Sequence, residues 1–504
     1  MAASMRLRHP IQALYQKHLI FPKFIINYQL NIVRGLNSLK TKSTEVSGGH
    51  ITTDSKVDAV VASKLDEDHV GKSGHISYKS HPGIIQRRRS QLPTRLVKAI
   101  KILLERYPIK TLLTEKEKLL RYLQQRQVPL SSLELTERAR AVEDDIHSKE
   151  GNRLQGLTGP DLLAATETLR QKVLNRLRHT TYHWKPMEYD AVMSYIYMVG
   201  CVASNYSVLM QCFTEISQRD PDFKPTTVYN FGSRVGAAIW AADAMWKGIG
   251  EYYCVDASAH MNTLAQLLLQ DANEHVKSTS IKGVYFRQFE PSSKNKFSLV
   301  VSPYMLIEQP TQQDRLALVQ NLWEMTEDYM VLVENGTGAG FKLINEAREY
   351  LTQLWNSTPD QQGHVFAPCP HDRPCPRVAI NQLCLTKCVV NEPDFAASKS
   401  NEKEKRFEKY TYLILKKGTR QEVASWPRVV EQIKAQKHTH CHLCLPSGEL
   451  QHIIISKGKF ERHLYKCARN IEQGDFLPVS LSRHSETQAE TQPECVTTDT
   501  EKSS

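Results

Sequence analysis

The 504-residue sequence has no run of about 18 uninterrupted apolar residues, the length a membrane-spanning helix requires. Its most apolar piece, Ala191 to Ala203, is shorter and carries Ser194, Tyr195 and Tyr197, so it is expected to be a buried core helix. No internal repeat is evident, which sets aside solenoids and propellers. Acidic residues are missing from the first 44 positions, where Glu45 is the first. The same stretch carries seven basic residues (Arg6, Arg8, Lys17, Lys23, Arg34, Lys40 and Lys42), interleaved with Leu14, Tyr15, Leu19, Ile20 and Phe21. It has neither the compact apolar core nor the small-residue cleavage site of a secretory signal. A basic, acid-free, amphipathic N-terminus is the physical description of a mitochondrial transit peptide, expected over residues 1–44.

Cysteine is absent from the first 200 positions, and seven of the eleven cysteines fall between Cys369 and Cys467. The mitochondrial matrix is reducing, so a disulfide framework is not expected there, and the clustering calls for a metal explanation. Apolar content of 40% and charged content of 24% are those of an ordinary globular chain with room for two or three domains.

Of the net charge of +11, the first 44 residues carry seven. A local patch is therefore more informative than the total. Residues 85–127 hold twelve Lys or Arg against three Glu, opening with Arg87-Arg88-Arg89, and a patch of this sign attracts phosphate. The competing reading is a solvated helix face.

Residues 45–90 read as a polar linker. Residues 91–220 read as a helical N-terminal domain. Its first helix opens at Pro93, with Leu96, Ile100, Leu103 and Leu104 on one face, and ends at Pro108. Charged helices follow over 114–127 and 131–148, then a mainly helical stretch over 160–216 broken at Pro186. From residue 225 the pattern changes. Short β-branched and aromatic runs (Thr227–Phe231, Tyr252–Val255, Val284–Phe286, Phe297–Ser302, Tyr329–Glu334) alternate with helical spans (Ala237–Lys247, Ala259–Leu269, Asp314–Met325). That alternation predicts a doubly wound parallel sheet over residues 221–345. Residues 346–478 are irregular and cysteine-rich, with one strand expected over Tyr410–Leu415. Residues 479–504 are polar and expected to be disordered.

The first strand runs into Phe231-Gly232-Ser233-Arg234-Val235-Gly236, and the next ends at Asp256. A glycine turn lets a ligand approach the backbone at a helix N-terminus, and an acid at the second strand tip is placed for ribose hydroxyls. Together they indicate an α/β, Rossmann-like S-adenosylmethionine-dependent methyltransferase core, with Gly232, Ser233, Gly236 and Asp256 as candidate cofactor contacts. Arg234 stands where a small residue is usual, and Asn230 where an acid is common. Ser302-Pro303-Tyr304 offers no evident catalytic base, so no catalytic residue is assigned.

The cysteine segment reads Cys369-Pro370-His371-Asp372-Arg373-Pro374-Cys375-Pro376, then Cys384 and Cys388, and later His440-Cys441-His442-Leu443-Cys444. The spacing from Cys369 through Cys375 to Cys384 does not match paired zinc knuckles, and Cys-Pro steps are frequent at iron–sulfur ligands. Zinc held with help from His371, Cys441 or His442, and unligated buried cysteines, remain open on spacing alone. Cys384-x3-Cys388 is only a fragment of the motif that radical chemistry uses.

These motifs resemble those of the mitochondrial methyltransferase-like family that assembles the small mitoribosomal subunit. The shared landmarks are His81-Pro82-Gly83, Thr180-Thr181-Tyr182-His183-Trp184, the degenerate glycine turn and Val333-Glu334-Asn335-Gly336-Thr337. The cysteine segment from Phe366, the His-Cys-His-Leu-Cys run, Tyr465-Lys466-Cys467-Ala468-Arg469 and Gly474-Asp475 complete them. The resemblance runs from about residue 81 to about residue 478. It implies a matrix protein, monomeric off the ribosome and not membrane-bound, whose partners are small-subunit rRNA and ribosomal proteins. It implies rRNA binding between head and body in support of mitochondrial translation, and a methyltransferase fold that has lost catalysis, with S-adenosylmethionine binding still possible. The alternative is an active rRNA methyltransferase. It further implies a 4Fe-4S cluster on Cys369, Cys375, Cys384 and Cys444. The Cys375-to-Cys384 gap is one residue longer than the family pattern, which leaves Cys388 as a rival third ligand.

Overall fold

A computed structural model describes residues 81–480, apart from 88–89, 151–156, 183, 292–294, 359–361, 397–405 and 421–425, together with 60–61 and 78–79. The expected transit peptide, Cys495, most of the expected linker and all but the first two residues of the expected disordered tail lie outside the described residues.

Among the described residues five helices precede the sheet: α1 (Thr94–Leu104), α2 (Ile109–Gln125), α3 (Ser132–Glu150), α4 (Gly159–Thr180) and α5 (Ala191–Arg219). Pro108 does more than stop α1. It occupies the N-cap position of α2, which therefore starts five residues ahead of the expected 114. Asp190 caps α5, its carboxylate accepting from Met193 N at 2.7 Å. By length and hydropathy α5 could cross a membrane, but 89% of its most apolar window is buried inside the molecule. It is the core helix that the sequence implied.

The sheet has eight strands: β1 (Thr227–Phe231), β2 (Glu251–Val255), β3 (Val284–Arg287), β4 (Phe297–Pro303), β5 (Thr326–Asn335), β6 (Gly363–Ala367), β7 (Thr386–Val390) and β8 (Arg406–Lys417). Its order is β3-β2-β1-β4-β5-β8-β6, with β7 also on β8. Strands β1 to β5 run parallel, and β8 is antiparallel to β5, β6 and β7. The crossovers carry α6 (Ala237–Met245), α7 (Ala259–Leu269), α8 (Gln312–Glu324) and α9 (Gly338–Ser357). Every residue of β4 is buried, as a central parallel strand covered on both faces must be.

The sheet does not end at residue 345. Three of its strands come from the stretch expected to be a separate cysteine-rich region, because β8 inserts between β5 and β6 and hides both edges. What lies beyond is a three-stranded antiparallel sheet of β9 (Arg428–Lys434), β10 (His438–Cys444) and β11 (Leu450–Ser456), backed by α10 (Arg462–Asn470). Thr439, Cys441, Leu443, Ile453 and Ile455 alternate inward along β10 and β11, the last four joining Leu464 and Ala468 of α10 in a small core.

This small sheet is tied to the large one by buried ions. Glu215 of α5 accepts from Arg428 Nη2 at 3.1 Å, Arg219 Nη1 at 3.1 Å and Tyr412 Oη at 2.8 Å. Burial alone would raise the Glu215 carboxyl, but Arg428 and then Arg219 hold it at about 2.

Candidate metal centre and glycine turn

Four cysteines from three places in the chain line one cavity. Cys369 follows β6, Cys375 and Cys384 lie in the loop before β7, and Cys444 ends β10. Pro376 sets the first turn of a four-residue helix after Cys375. The thiols are mutually close enough to perturb one another. Burial pushes Cys384 up to about 12, with Cys369 and Cys375 adding to it, and lifts Cys444 well above the ordinary thiol value, reinforced by Cys369, Cys384 and Cys375. Four such thiols cannot ionise together without a cation to take the charge.

Cys388 is elsewhere. It faces the main core from β7, beside Glu408. Cys441 and His442, neighbours on β10, point to opposite faces; Cys441 is in the small core and His442 stacks on His452 at 4.3 Å. Neither Cys441 nor His442 lines the cysteine cavity. His371 does approach it, with Nε2 3.3 Å from Cys444 Sγ. Burial, then Arg348, push His371 down to about 4, so its ring is neutral at pH 7.

The surroundings fit an anionic thiolate cluster. Arg377 and Arg428 stand in the cavity wall, and Arg348 binds the His371 and Arg373 carbonyls behind it. Nε of Arg348, Arg377 and Arg428 is buried without a partner. Unpartnered buried N–H donors beside uncharged thiols would be costly, whereas metal-bound thiolates give them an acceptor of opposite charge.

The glycine turn is built as expected but its groups are engaged by the chain itself. Gly232 and Gly236 have φ of 75° and 81°. A Cβ on Gly232 would lie 2.2 Å from Met305 Cγ and Sδ, so the glycine admits the protein's own methionine. Each carboxylate oxygen of Asp256 accepts one amide: Oδ2 from Arg234 N at 2.9 Å and Oδ1 from Ser258 N at 3.0 Å. Arg234 crosses the turn to Glu308 at 3.2 Å and lies 4.4 Å from the Tyr189 ring centroid. Arg126 meets the same Glu308 at 2.6 Å. A cavity between α5 and the sheet takes only Arg234 from this turn, with no contribution from Gly232, Ser233, Gly236 or Asp256. At the strand tips Asn230, Ser233 and Ser302 are buried with side-chain polar atoms unpartnered. With at most 3% exposure they call for buried water. In this arrangement Met305 takes the close approach that Gly232 would offer a cofactor and Arg234 crosses the turn to Glu308, while Asp256, with one amide on each oxygen, keeps lone pairs for ribose hydroxyls. Calorimetric titration of the full chain with S-adenosylmethionine is expected to show no saturable heat up to about 100 times the protein concentration; micromolar binding would contradict this.

The profile of the family described as mitochondrial small ribosomal subunit Rsm22 matches residues 191–478. The human mitochondrial ribosome assembly protein METTL17 is 38% identical over 416 residues, 81% of this chain and 88% of that protein. The chain belongs to the Rsm22 family. The mitochondrial ribosome assembly protein RSM22 of Saccharomyces cerevisiae is 20% identical, over 58% of this chain and 67% of its own. Among solved structures, a precorrin-6y C5,15-methyltransferase from Geobacter metallireducens is 11% identical over 42% of this chain and 86% of its own, at a TM-score of 0.26. An overlap that loose carries no argument. The fold reading rests on the sheet itself, whose order and single inserted antiparallel strand are those of the Rossmann-like methyltransferase class.

The basic stretch of this Rsm22-family chain divides between buried ion pairs and exposed side chains. Lys116 is buried against Glu392 at 2.9 Å, Arg126 against Glu308, and Arg87 pairs with Asp475 at 3.3 Å. Arg95 and Arg106 pair with Asp271 and Glu274 on the surface. Lys116, Arg126 and Arg87 are internal wiring, while Lys98, Lys101, Lys110, Lys118 and Arg121 remain exposed alongside the Arg95 and Arg106 pairs. Trp184 donates to the Ile307 carbonyl at 2.9 Å.

Sequence reasoning also missed Glu334. Its Oε1 accepts from Leu306 N at 2.9 Å and Ile307 N at 3.2 Å, fixing the turn that carries Met305 and Glu308. Burial raises this carboxyl to about 8 despite those amides. A raised carboxyl contributes stability below its unfolded value, and that contribution is lost as pH climbs toward 8. Glu334→Gln keeps the acceptor without the charge. It is expected to match the native chain near pH 5 and to exceed it by about 1–3 kcal/mol at pH 9, as read by urea unfolding at both pH values.

Proposed function

We propose that this chain is a mitochondrial assembly factor for the small ribosomal subunit, acting in the matrix. It binds small-subunit rRNA between head and body and so supports mitochondrial translation. The observation that carries this is the 38% identity across 81% of the chain to a human protein named for ribosome assembly. The methyltransferase-type sheet serves as a scaffold without catalysis, consistent with Met305 against Gly232 and the engaged Arg234.

Cys369, Cys375, Cys384 and Cys444 would hold a 4Fe-4S cluster. Bound there, the cluster supplies metal–thiolate links that join the loop before β7 to the end of β10. Among the described residues no three His, Cys, Asp or Glu are gathered as one metal ion would need. Arg348, Arg377 and Arg428 offset the charge, and His371 orders Cys444.

The test is depletion of the chain followed by sucrose-gradient analysis of mitochondrial lysate. Mature small subunits and mitochondrial protein synthesis are expected to fall several-fold with large subunits preserved, and the re-expressed chain to sediment with small-subunit precursors. Unchanged small subunits, with the chain at the top of the gradient, would overturn the proposal.

A further inference from the structure

The small sheet has one face packed on α10 and one that the cysteine loop covers only in part. Cys444 and Arg428, paired across β10 and β9, mark the covered end. Toward the other end the same face carries His442, His440 and His438 of β10 and His452 of β11. Their rings form a continuous row. His442 stacks on His452 with centroids 4.3 Å apart and planes 6° from parallel, His452 stacks on His440 at 5.2 Å and 13°, and His440 meets His438 edge-on at 4.9 Å. Ile433 and Ile454 flank His440 in register and are 51% and 46% exposed. A strand face that leaves two large apolar side chains exposed is costly in water.

The charge beside it is mainly of one sign. β9 ends, β10 begins and β11 ends at the same edge, and there Lys434, Lys437, Lys457 and Lys459 are all exposed. The exposed acid near them in sequence is Glu461, two residues past Lys459 at the start of α10, while Glu431 and Glu449 sit farther along, toward the cysteine end. The histidines themselves do not make a single metal site. His440 uses Nε2 toward His438 and Nδ1 toward His452, so no three of their nitrogens converge.

We propose that this face binds single-stranded RNA. Unpaired bases pack on Ile433 and Ile454 and against the outer face and edges of the imidazole row, while the lysine edge takes the phosphates. Flat rings and exposed apolar side chains on an open sheet, bordered by cations, are the recognition chemistry of unstacked bases rather than of duplex RNA, whose bases are inaccessible. The face runs about 20 Å from Cys444 to the lysine edge, enough for three or four nucleotides. The inference rests on the ribosomal role proposed above and specifies which surface meets the RNA and in what form.

The test is fluorescence anisotropy of the full chain with a labelled uridine-rich single-stranded 12-mer and with the same strand in duplex form. The single strand is expected to bind more tightly than the duplex. His440→Ala/His452→Ala is expected to weaken single-strand binding at least about five-fold with an unchanged salt slope. Lys434→Gln/Lys457→Gln is expected to reduce the slope of log affinity against log salt by about 0.7 per lost contact. Thermal unfolding must match the native chain for both variants; should the histidine variant misfold, the lysine variant carries the test. Native-like affinity and salt slope in both variants, equal binding of duplex, or binding that requires added zinc would overturn the inference. If the variants bind RNA normally while the native chain still sediments with small-subunit precursors, this surface is wrong and the proposed function stands. If the native chain does not sediment there, the function itself fails.

Discussion

Cys444→Ser is expected to remove iron and sulfide from the purified chain and most of the soluble protein with them. Cys444 is the one cysteine of the four on the small sheet; the other three lie in the loop before β7. Its loss therefore cuts the link between two segments that approach over some 60 residues of intervening chain. Ligation and folding are coupled in such sites, because the metal binds the assembled ligand set and not the unfolded chain. Around an incomplete site, the buried Nε atoms of Arg348, Arg377 and Arg428 remain uncompensated. Cys388→Ser, a change in the main core away from the cavity, is the control and should retain full iron. Iron and acid-labile sulfide assays on both variants, purified anaerobically, decide the matter. Equal iron in the Cys444 variant would remove that residue from the ligand set.

The second large effect is expected at Glu215. Glu215→Ala should destabilise the chain by about 3–5 kcal/mol, because it strands the buried guanidinium of Arg428 and deprives Arg219 and Tyr412 of their acceptor. Arg428 is 4% exposed and also walls the cysteine cavity, so its displacement should loosen the small sheet as well. The pH dependence follows from the depressed carboxyl. The Glu215 contribution is present above the unfolded carboxyl range and is lost as pH falls toward 2. The native chain should accordingly lose stability steeply in acid, and Glu215→Ala should show a shallower acid limb. Denaturant unfolding monitored across pH 2–7 measures both; a loss under about 1 kcal/mol would show that the pair is exchangeable with water.

The parallel half of the sheet was legible because its strands are short β-branched and aromatic runs between capped helices. Thr227–Phe231 and Ala259–Leu269 coincide with the observed elements residue for residue. The antiparallel half was not. Strand β8 pairs with β5 over a separation of more than 70 residues, and nothing local in Tyr410–Leu415 says which edge it joins. The three-stranded sheet was hidden by its own residues. His438-Thr439-His440-Cys441-His442-Leu443-Cys444 reads as a ligand motif, yet its strict alternation of half-exposed histidine with buried Thr439, Cys441 and Leu443 is also the period of a strand. That alternation was the available signal. The role of Glu215 could not be read at all, since its partner Arg428 lies 213 positions away.

At the candidate sites the sequence carried residue types but not engagement. Gly232, Ser233 and Gly236 form the turn they were expected to form beside Asp256, but that Asp256 binds the amides of Arg234 and Ser258 is something no spacing rule reveals. The choice between Cys384 and Cys388 was open on spacing. In the fold Cys384 faces the cavity of Cys369, Cys375 and Cys444 while Cys388 faces the core.

The cysteine cavity is the centre of this account, and metal analysis of the native chain tests it most directly. Anaerobic purification followed by iron, sulfide and zinc determination with an absorption spectrum is predicted to give about four iron and four sulfide per chain, with a broad thiolate-to-iron band near roughly 400 nm. One zinc per chain without sulfide, or no metal in protein that is soluble and folded, would contradict it.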